Sequence, residues 1–405
     1  MASGIEQAFR ADAPRILGAV ARYTGDLLTA EDAVQEAFAR AVELAARGHA
    51  PDNPSAWITT VARRIAVDTI RKERTTTRSL PALAAELRRT ADTPMPETEF
   101  AFTGDERLEL ILLLCHPEVS EEARVALALR FVCGVPTREV AAALLVQEAT
   151  MAARLTRAKR RIHDSSIRFA IDDDADVEAR FPDALTTIYL LYTVGHAAPD
   201  DRVRADALVL ARDAHRIRPD DREADGLLAL LLLTEARQAT RLSPDGDFVT
   251  LAEADRGGWN ATMITEGERL ATTALGGRGR FALQAGIAGL HALAPSWAAT
   301  DWPGIARLYD RLVEIWPSPS ARLGRIVARG YSPDVGPEAA LAELGADREL
   351  FTGTLAPQAF AVRGDLARLA GDARTSATAY RRAIELEPNE RVRRFLSARL
   401  DGLGR

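Results

Sequence analysis

At 405 residues, with 47% hydrophobic content, the chain is too apolar for global disorder and long enough for two or three domains that each bury a core. Aromatic content is low at 6%, alanine and arginine abound and lysine is nearly absent, a composition suited to an all-helical protein from a high-GC bacterium. The net charge of −6 is unevenly spread: residues 1–170 hold 23 Lys+Arg and 23 Asp+Glu, whereas residues 171–405 hold 29 and 35, so an acidic half follows a neutral one.

Cys115 and Cys133 make neither a disulfide framework nor a zinc site, and both lie in apolar runs that suit buried thiols in a reducing compartment. The start lacks a cationic segment followed by an apolar one, and no apolar run reaches the length of a membrane span. A cytoplasmic protein is expected.

Ile5, Phe9, Ile16, Leu17 and Val20 mark a first helical pattern. A second follows in Ala33, Val34, Ala37, Phe38, Ala41 and Val42, with Glu31, Asp32, Gln35 and Glu36 read as negative charge at the positive end of the helix. His49 to Ala56 is a turn-rich loop whose Pro54 and Ser55 suit a helix start. In the helix from Trp57 to Arg74, Trp57, Ile58, Val61, Ile65 and Ile70 can pack inward, while Arg63, Arg64, Arg71, Lys72 and Arg74 make the other side basic. A polar loop feeding such a helix suits melted nucleic acid, because unstacked bases need a stacking surface and the backbone needs cations. A lone tryptophan is nevertheless more often a core residue.

Residues 76–107 mix polar, Pro and Gly residues with one short helical pattern and read as a linker. From Val135 to Asp164 the periodicity gives two helices and a tight turn. Val140, Ala141, Leu144 and Leu145 line the first, and Met151, Leu155, Ala158 and Ile162 the second. The second helix also carries Thr150, Thr156, Arg154, Arg157, Lys159, Arg160 and Arg161. A helix with an apolar seam, small polar residues near its start and arginines along its length can enter a major groove and hold flanking phosphates, so we read a helix-turn-helix. A solvated basic face on a core helix is the plainer alternative.

Ile171 to Glu178 reads as an acidic break, with Pro182 opening a new helical series. Ala207–Pro219, Thr300–Pro317 and Gly371–Pro388 resemble one another as amphipathic helices ended by proline, at spacings close to multiples of a helical-hairpin repeat. Phe360, Gly364, Ser376, Tyr380, Ala383 and Pro388 fall at the small, aromatic and breaker positions of a tetratricopeptide repeat. Ser243 to Asn260 interrupts the pattern with an Asp-Gly turn, and its Asp245, Asp247, Glu253, Asp255 and Trp259 suggest an interaction loop, the spacing fitting no calcium loop. The six histidines, His49, His116, His163, His196, His215 and His291, have no ligand spacing or nucleophile beside them, and GGRGRF at Gly276 to Phe281 reads as an inter-helix turn rather than a phosphate loop. No catalytic centre, metal or cofactor is expected.

TAEDAVQEAFARAV, NPSAWITTVARRIAVDTIRKER and SEEARVALALRFVCGVPTREVAAALLVQEATMAARLTRAKRRI, in that order and spacing, resemble regions two and four of extracytoplasmic-function (ECF) sigma factors of bacterial RNA polymerase. The resemblance implies an all-α protein with region 2 at 5–75, a linker at 76–107 and region 4 at 108–168, and with core polymerase and promoter DNA as partners. It places Asp32, Gln35 and Glu36 on the polymerase coiled coil. Asn53, Ser55, Trp57, Thr60, Arg63 and Arg64 fall at the minus-ten strand, Thr150, Arg154, Arg157 and Lys159 in the minus-thirty-five groove, and Thr137 and Arg138 on its phosphates. Two positions depart from the pattern: Pro136 stands where relatives start the helix with Ser or Thr, leaving Thr137 to cap, and Gln147 replaces Ser or Pro. Residues 178–405 resemble the tetratricopeptide-like extension of one sigma subgroup, with YTVGH at Tyr192 to His196 in place of Phe-Asn-Glu-Gly-Tyr. That likeness implies control through the extension, by contact with its own sigma domains or a protein partner. The rival reading is a one-component regulator whose helical array binds a ligand or peptide.

Overall fold

The computed structural model describes residues 2–76, 106–164, 171, 173–197, 200–244 and 246–404. The regular elements among them are helices, with one isolated antiparallel bridge between Leu242 and Phe248, so the fold is all-α as expected. Most of the expected linker, and Asp245, lie outside the described residues. No helix among those described is long and apolar enough to cross a membrane.

The chain divides into two compact units, Met1–Ile217 and Arg218–Arg405. In the first, α1 (Ala2–Thr24), α2 (Leu27–Ala46) and α3 (Pro54–Thr76) pack on one another. Asp26 caps α2, its carboxylate accepting from the Leu28 and Thr29 amides at 3.3 and 3.0 Å. Because α2 starts at Leu27, Glu31, Asp32, Gln35 and Glu36 sit past its first turn, and Asp26 rather than that group answers the helix dipole. The buried stripe runs through Ala33, Val34, Ala37, Phe38 and Ala41, but Val42 is 57% exposed.

Next come α4 (Glu106–Leu114) and α5 (Glu121–Leu127), the latter running into a π-helical turn at Ala128–Val132. The helix-turn-helix pair is α6 (Thr137–Ala143) and α7 (Glu148–Asp164). Cys115, at the end of α4, is buried, and burial pushes its thiol far above the ordinary range, whereas Cys133 is only half-buried.

The acidic stretch after residue 170 is a helix start. Asp173 accepts from the Asp176 amide at 2.9 Å, and α8 (Asp174–Ala197) places Asp174 and Asp176 in its first turn. Pro182 lies inside α8 and begins nothing; it costs the helix one backbone donor. Through Val177, Phe181, Leu185 and Ile188, α8 joins the core that it shares with α4, α5 and α6. With α9 (Asp201–Ile217) it belongs to the first compact unit, although the extension is expected from residue 178.

The second unit runs α10 (Arg222–Glu235), α11 (Ala261–Ala274), α12 (Arg280–Leu293), α13 (Trp302–Ile315), α14 (Pro319–Tyr331), α15 (Pro337–Ala346), α16 (Ala356–Leu369), α17 (Ala373–Leu386) and α18 (Glu390–Asp401). Sequence neighbours from α12 onward pack on each other. A Cβ on Gly364 would lie 2.7 Å from two carbons of the Tyr380 ring, and the Ser376 hydroxyl donates to the Gly364 carbonyl at 2.8 Å, so α16 and α17 approach as closely as the small-residue pattern predicts. GGRGRF is an inter-helix turn, and the Glu223 carboxylate accepts from the Phe281 and Ala282 amides at 3.0 and 3.1 Å, capping α12 from α10. In the loop before α11, Asp247 and Glu253 pair with Arg394 and Arg399 of α18 at 2.9 Å, Asp255 accepts from the Gly257 amide, and Trp259 is buried with its indole donating to Thr240. Among the described residues no three His, Cys, Asp or Glu side chains cluster as a metal site.

Candidate nucleic-acid interface

Pro136 is the N-cap of α6, with φ −58° and ψ 144° and no side-chain capping bond; Thr137 is already helical and does not cap. The Glu139 and Val140 amides bond to the Pro136 carbonyl at 2.9 and 3.0 Å, so the helix starts directly behind proline, without the side-chain cap that Ser or Thr would supply. The turn into α7 passes through Leu145 in the left-handed region, φ 56°. Val140 and Ala141 of α6 are buried, as are Met151, Leu155, Ala158 and Ile162 of α7.

At about 100° per residue, Thr150, Arg154, Arg157 and Arg161 fall within a sector of roughly 60° on α7. Thr150, Arg157, Arg160 and Arg161 are exposed and Arg154 is half-buried, giving a cationic arc beside the apolar seam. Arg138 is exposed at the start of α6 and Thr137 half-buried. An α-helix is about 10–12 Å wide with side chains, the width of a major groove, so the arc can face base edges and phosphates together.

Lys159 does not share that arc. It lies roughly 180° from Thr150 around α7, where its ammonium donates to Glu31 Oε2 of α2 at 2.7 Å and sits 5.2 Å from the Phe131 ring centroid.

In the first helical group, Asn53 caps α3, its Oδ1 accepting from the Ala56 amide at 3.1 Å, and the Ser55 hydroxyl donates to Asp12 Oδ2 at 2.6 Å. Trp57 is half-buried, neither a core residue nor a free platform. Thr60 and Arg64 are exposed, the Thr60 hydroxyl donating to the Ala56 carbonyl at 2.9 Å, and the Arg63 guanidinium lies 5.5 Å from the ring of Tyr23. These six residues occupy the preceding loop and the first three turns of α3. On α2, Asp32, Gln35 and Glu36 are exposed together, Glu36 pairing with Arg40 at 2.9 Å.

Residues 8–76 match sigma-70 region 2 and residues 109–162 match sigma-70 region 4. A protein of Rhizobium meliloti (strain 1021), described as uncharacterized, is 36% identical over 399 residues, 96% of this chain and 93% of that one. A probable ECF RNA polymerase sigma factor of Mycobacterium tuberculosis, SigI, is 27% identical over 172 residues, 42% of this chain and 57% of that one. A probable RNA polymerase sigma factor of Xanthomonas campestris pv. campestris, RfaY, is 29% identical over 146 residues, 36% of each chain. The N-terminal part of the chain thus carries sigma-70 regions 2 and 4, which support an RNA polymerase sigma factor. Beyond region 4, where a tetratricopeptide-like array is expected, residues 180–275 match a family of unknown function (DUF6596). No solved structure matches.

Further contacts hold region 4 in place. Arg124 donates to the carbonyls of Val119 and Pro117 at 2.6 and 2.8 Å and to Asp183 Oδ2 at 2.6 Å, fastening region 4 to α8. Asp183 is 59 residues away in sequence, so only hydrophobic patterning of α8 hints that it belongs there. Regions 2 and 4 also meet at Gly18 of α1, where a Cβ would lie 2.0 Å from a methyl of Leu110 in α4.

Proposed function

We propose that this sigma factor directs promoter-specific initiation by core RNA polymerase and that its C-terminal helical extension regulates the activity. Asp32, Gln35 and Glu36 dock on the polymerase coiled coil. Asn53, Ser55, Trp57, Thr60, Arg63 and Arg64 capture the melted minus-ten strand, the loop and the basic helix serving base and backbone respectively. Thr150, Arg154 and Arg157 read the minus-thirty-five groove, with Thr137 and Arg138 on phosphates. Lys159, on the opposite side of α7 against Glu31, takes no part in that reading. The extension is a tetratricopeptide-like array that binds a protein segment, a reading supported by the Gly364–Tyr380 approach. The observation that carries the proposal is the exposed cationic arc on α7, held on a helix-turn-helix and preceded in the same chain by the basic α3.

Run-off transcription with core polymerase on a promoter library tests it, comparing the full chain with a chain ending at Ile217. Initiation at defined two-part promoters is expected, and Arg154→Ala with Arg157→Ala should abolish promoter choice while polymerase binding persists. A higher transcript level from the shorter chain gives the distal extension an inhibitory sign; loss of transcript makes it an activator. Duplex binding without polymerase, and no initiation, would instead identify a one-component regulator.

A further inference from the structure

Within the second unit, the loop before α11 and the end of α12 bring together polar groups that no nucleic-acid surface uses. Arg256, in the short turn Arg256–Gly258, donates from Nη1 to the carbonyls of His291 and Ala294 at 2.8 and 2.7 Å. Its guanidinium carbon stands 4.5 Å from the centroid of the Trp259 ring. The fork is thereby fixed against the end of α12, and its other arm, Nη2, is buried with no hydrogen-bond partner among the described residues. His291 Nδ1 is buried without a partner there as well. The imidazole is itself clamped, stacked on Trp297 at 6.3 Å between centroids and edge-on to Trp302 at 5.2 Å.

Buried polar groups are nearly always satisfied, and a guanidinium stays charged when it is buried. A core built for stability alone would set an acceptor opposite such donors. Here the charges that act on His291, those of Arg237 and Arg256, are both cationic, and burial is what depresses Arg256. No carboxylate is among those influences to offset the local positive charge. Arg256 Nη2 donates in a direction set by its fork, and a neutral imidazole can donate from Nδ1, so the partner these atoms fit is a negatively charged acceptor. The same cations would repel a metal ion.

We propose that Arg256 Nη2 and His291 Nδ1, with Arg237 nearby, form a binding site in the second unit for the oxyanion group of a small molecule, a carboxylate or a phosphate. Two oxygens of one such group can each accept from one donor, and the Arg237 charge adds attraction without contact. Trp297, Trp302 and Tyr331, with ring centroids 4.7–5.2 Å apart, pack as a block that holds the imidazole plane, so its donor does not swing away. The site makes the extension a receptor for a small anion. It needs neither polymerase nor promoter and so stands apart from the function proposed above.

Titration of the full chain with sodium acetate and with sodium phosphate, at constant ionic strength, tests the site through the fluorescence of Trp259, Trp297 and Trp302. One of the two should give a saturable change that sodium chloride does not give, and which one it is tells carboxylate from phosphate. His291→Phe keeps a flat ring against Trp297 and removes Nδ1; it should weaken binding about tenfold. Arg256→Lys keeps the charge and removes Nη2, and should weaken it roughly fivefold. Hydrogen exchange locates the anion without any substitution: amides around Arg256 and His291 should slow about threefold at saturation. No saturable change with either salt, a change that chloride reproduces, protection confined to other segments, or parent-like affinity in both variants overturns the site.

Discussion

Leu145 carries the helix-turn-helix through a left-handed backbone, φ 56°, which costs a residue with a Cβ roughly 1–2 kcal/mol. Its side chain is 45% exposed and contributes little burial in return. Leu145→Gly should therefore melt no lower than the parent protein, whereas Leu145→Val, with a branched Cβ in the same conformation, should lose about 1–2 kcal/mol in urea denaturation. His291 gives a residue-scale pH dependence. Burial first, then the nearby cations Arg237 and Arg256, lower its pKa from 6.5 to about 4. The depressed value means that the unfolded chain takes up a proton before the folded one. Stability is fully present above about pH 6.5 and is lost as pH falls toward 4. Between pH 7 and pH 5 the loss should be about 2 kcal/mol, and His291→Phe should remove most of it in paired denaturation curves. Leu145 was not legible as left-handed, because a turn of that kind is usually marked by glycine or asparagine. The resemblance groups Lys159 with Thr150, Arg154 and Arg157, although their helical spacing sets it on the opposite side of α7.

At the scale of elements, apolar periodicity is a local signal, and it located α2, α3, α6 and α7 from their own residues. It failed where charge stood in for a break. Asp173, Asp174 and Asp176 read as a boundary, yet they are the cap and first turn of α8, with Pro182 tolerated inside. The Arg124–Asp183 bond joins residues 59 apart, and no local pattern announces such a pair. The α16–α17 pair was better marked, because Gly364 and Tyr380 form a size complement visible in sequence. Gly364→Ala should gain helix propensity, ~1 kcal/mol, but lose more to the collision with the ring, for a net loss of about 1–2 kcal/mol. Tyr380→Leu in the same background should recover part of that loss in chemical denaturation.

For the whole molecule, the question is where the sigma part ends. Region 4 as matched stops at residue 162, but its packing continues into α8, and Arg107 of α4 pairs with Asp206 of α9 at 2.8 Å. A chain cut at Arg168 would expose the partners of Phe181, Leu185 and Ile188, each buried side chain contributing about 1.5–3 kcal/mol. It should bind hydrophobic dye and melt without cooperativity, whereas a chain ending at Ile217 should show a sharp transition by near-ultraviolet dichroism. The second unit has a different economy. Helical arrays contact only sequence neighbours and so fray from their ends. Here the pairs Asp247–Arg394 and Glu253–Arg399 tie a loop between the first two helices of the unit to its last helix. The two ends that would unravel first are thereby linked by two solvent-exposed ion pairs, each contributing about 0–1 kcal/mol. Amide exchange of α18 should therefore quicken relative to α12 as added salt screens the pairs.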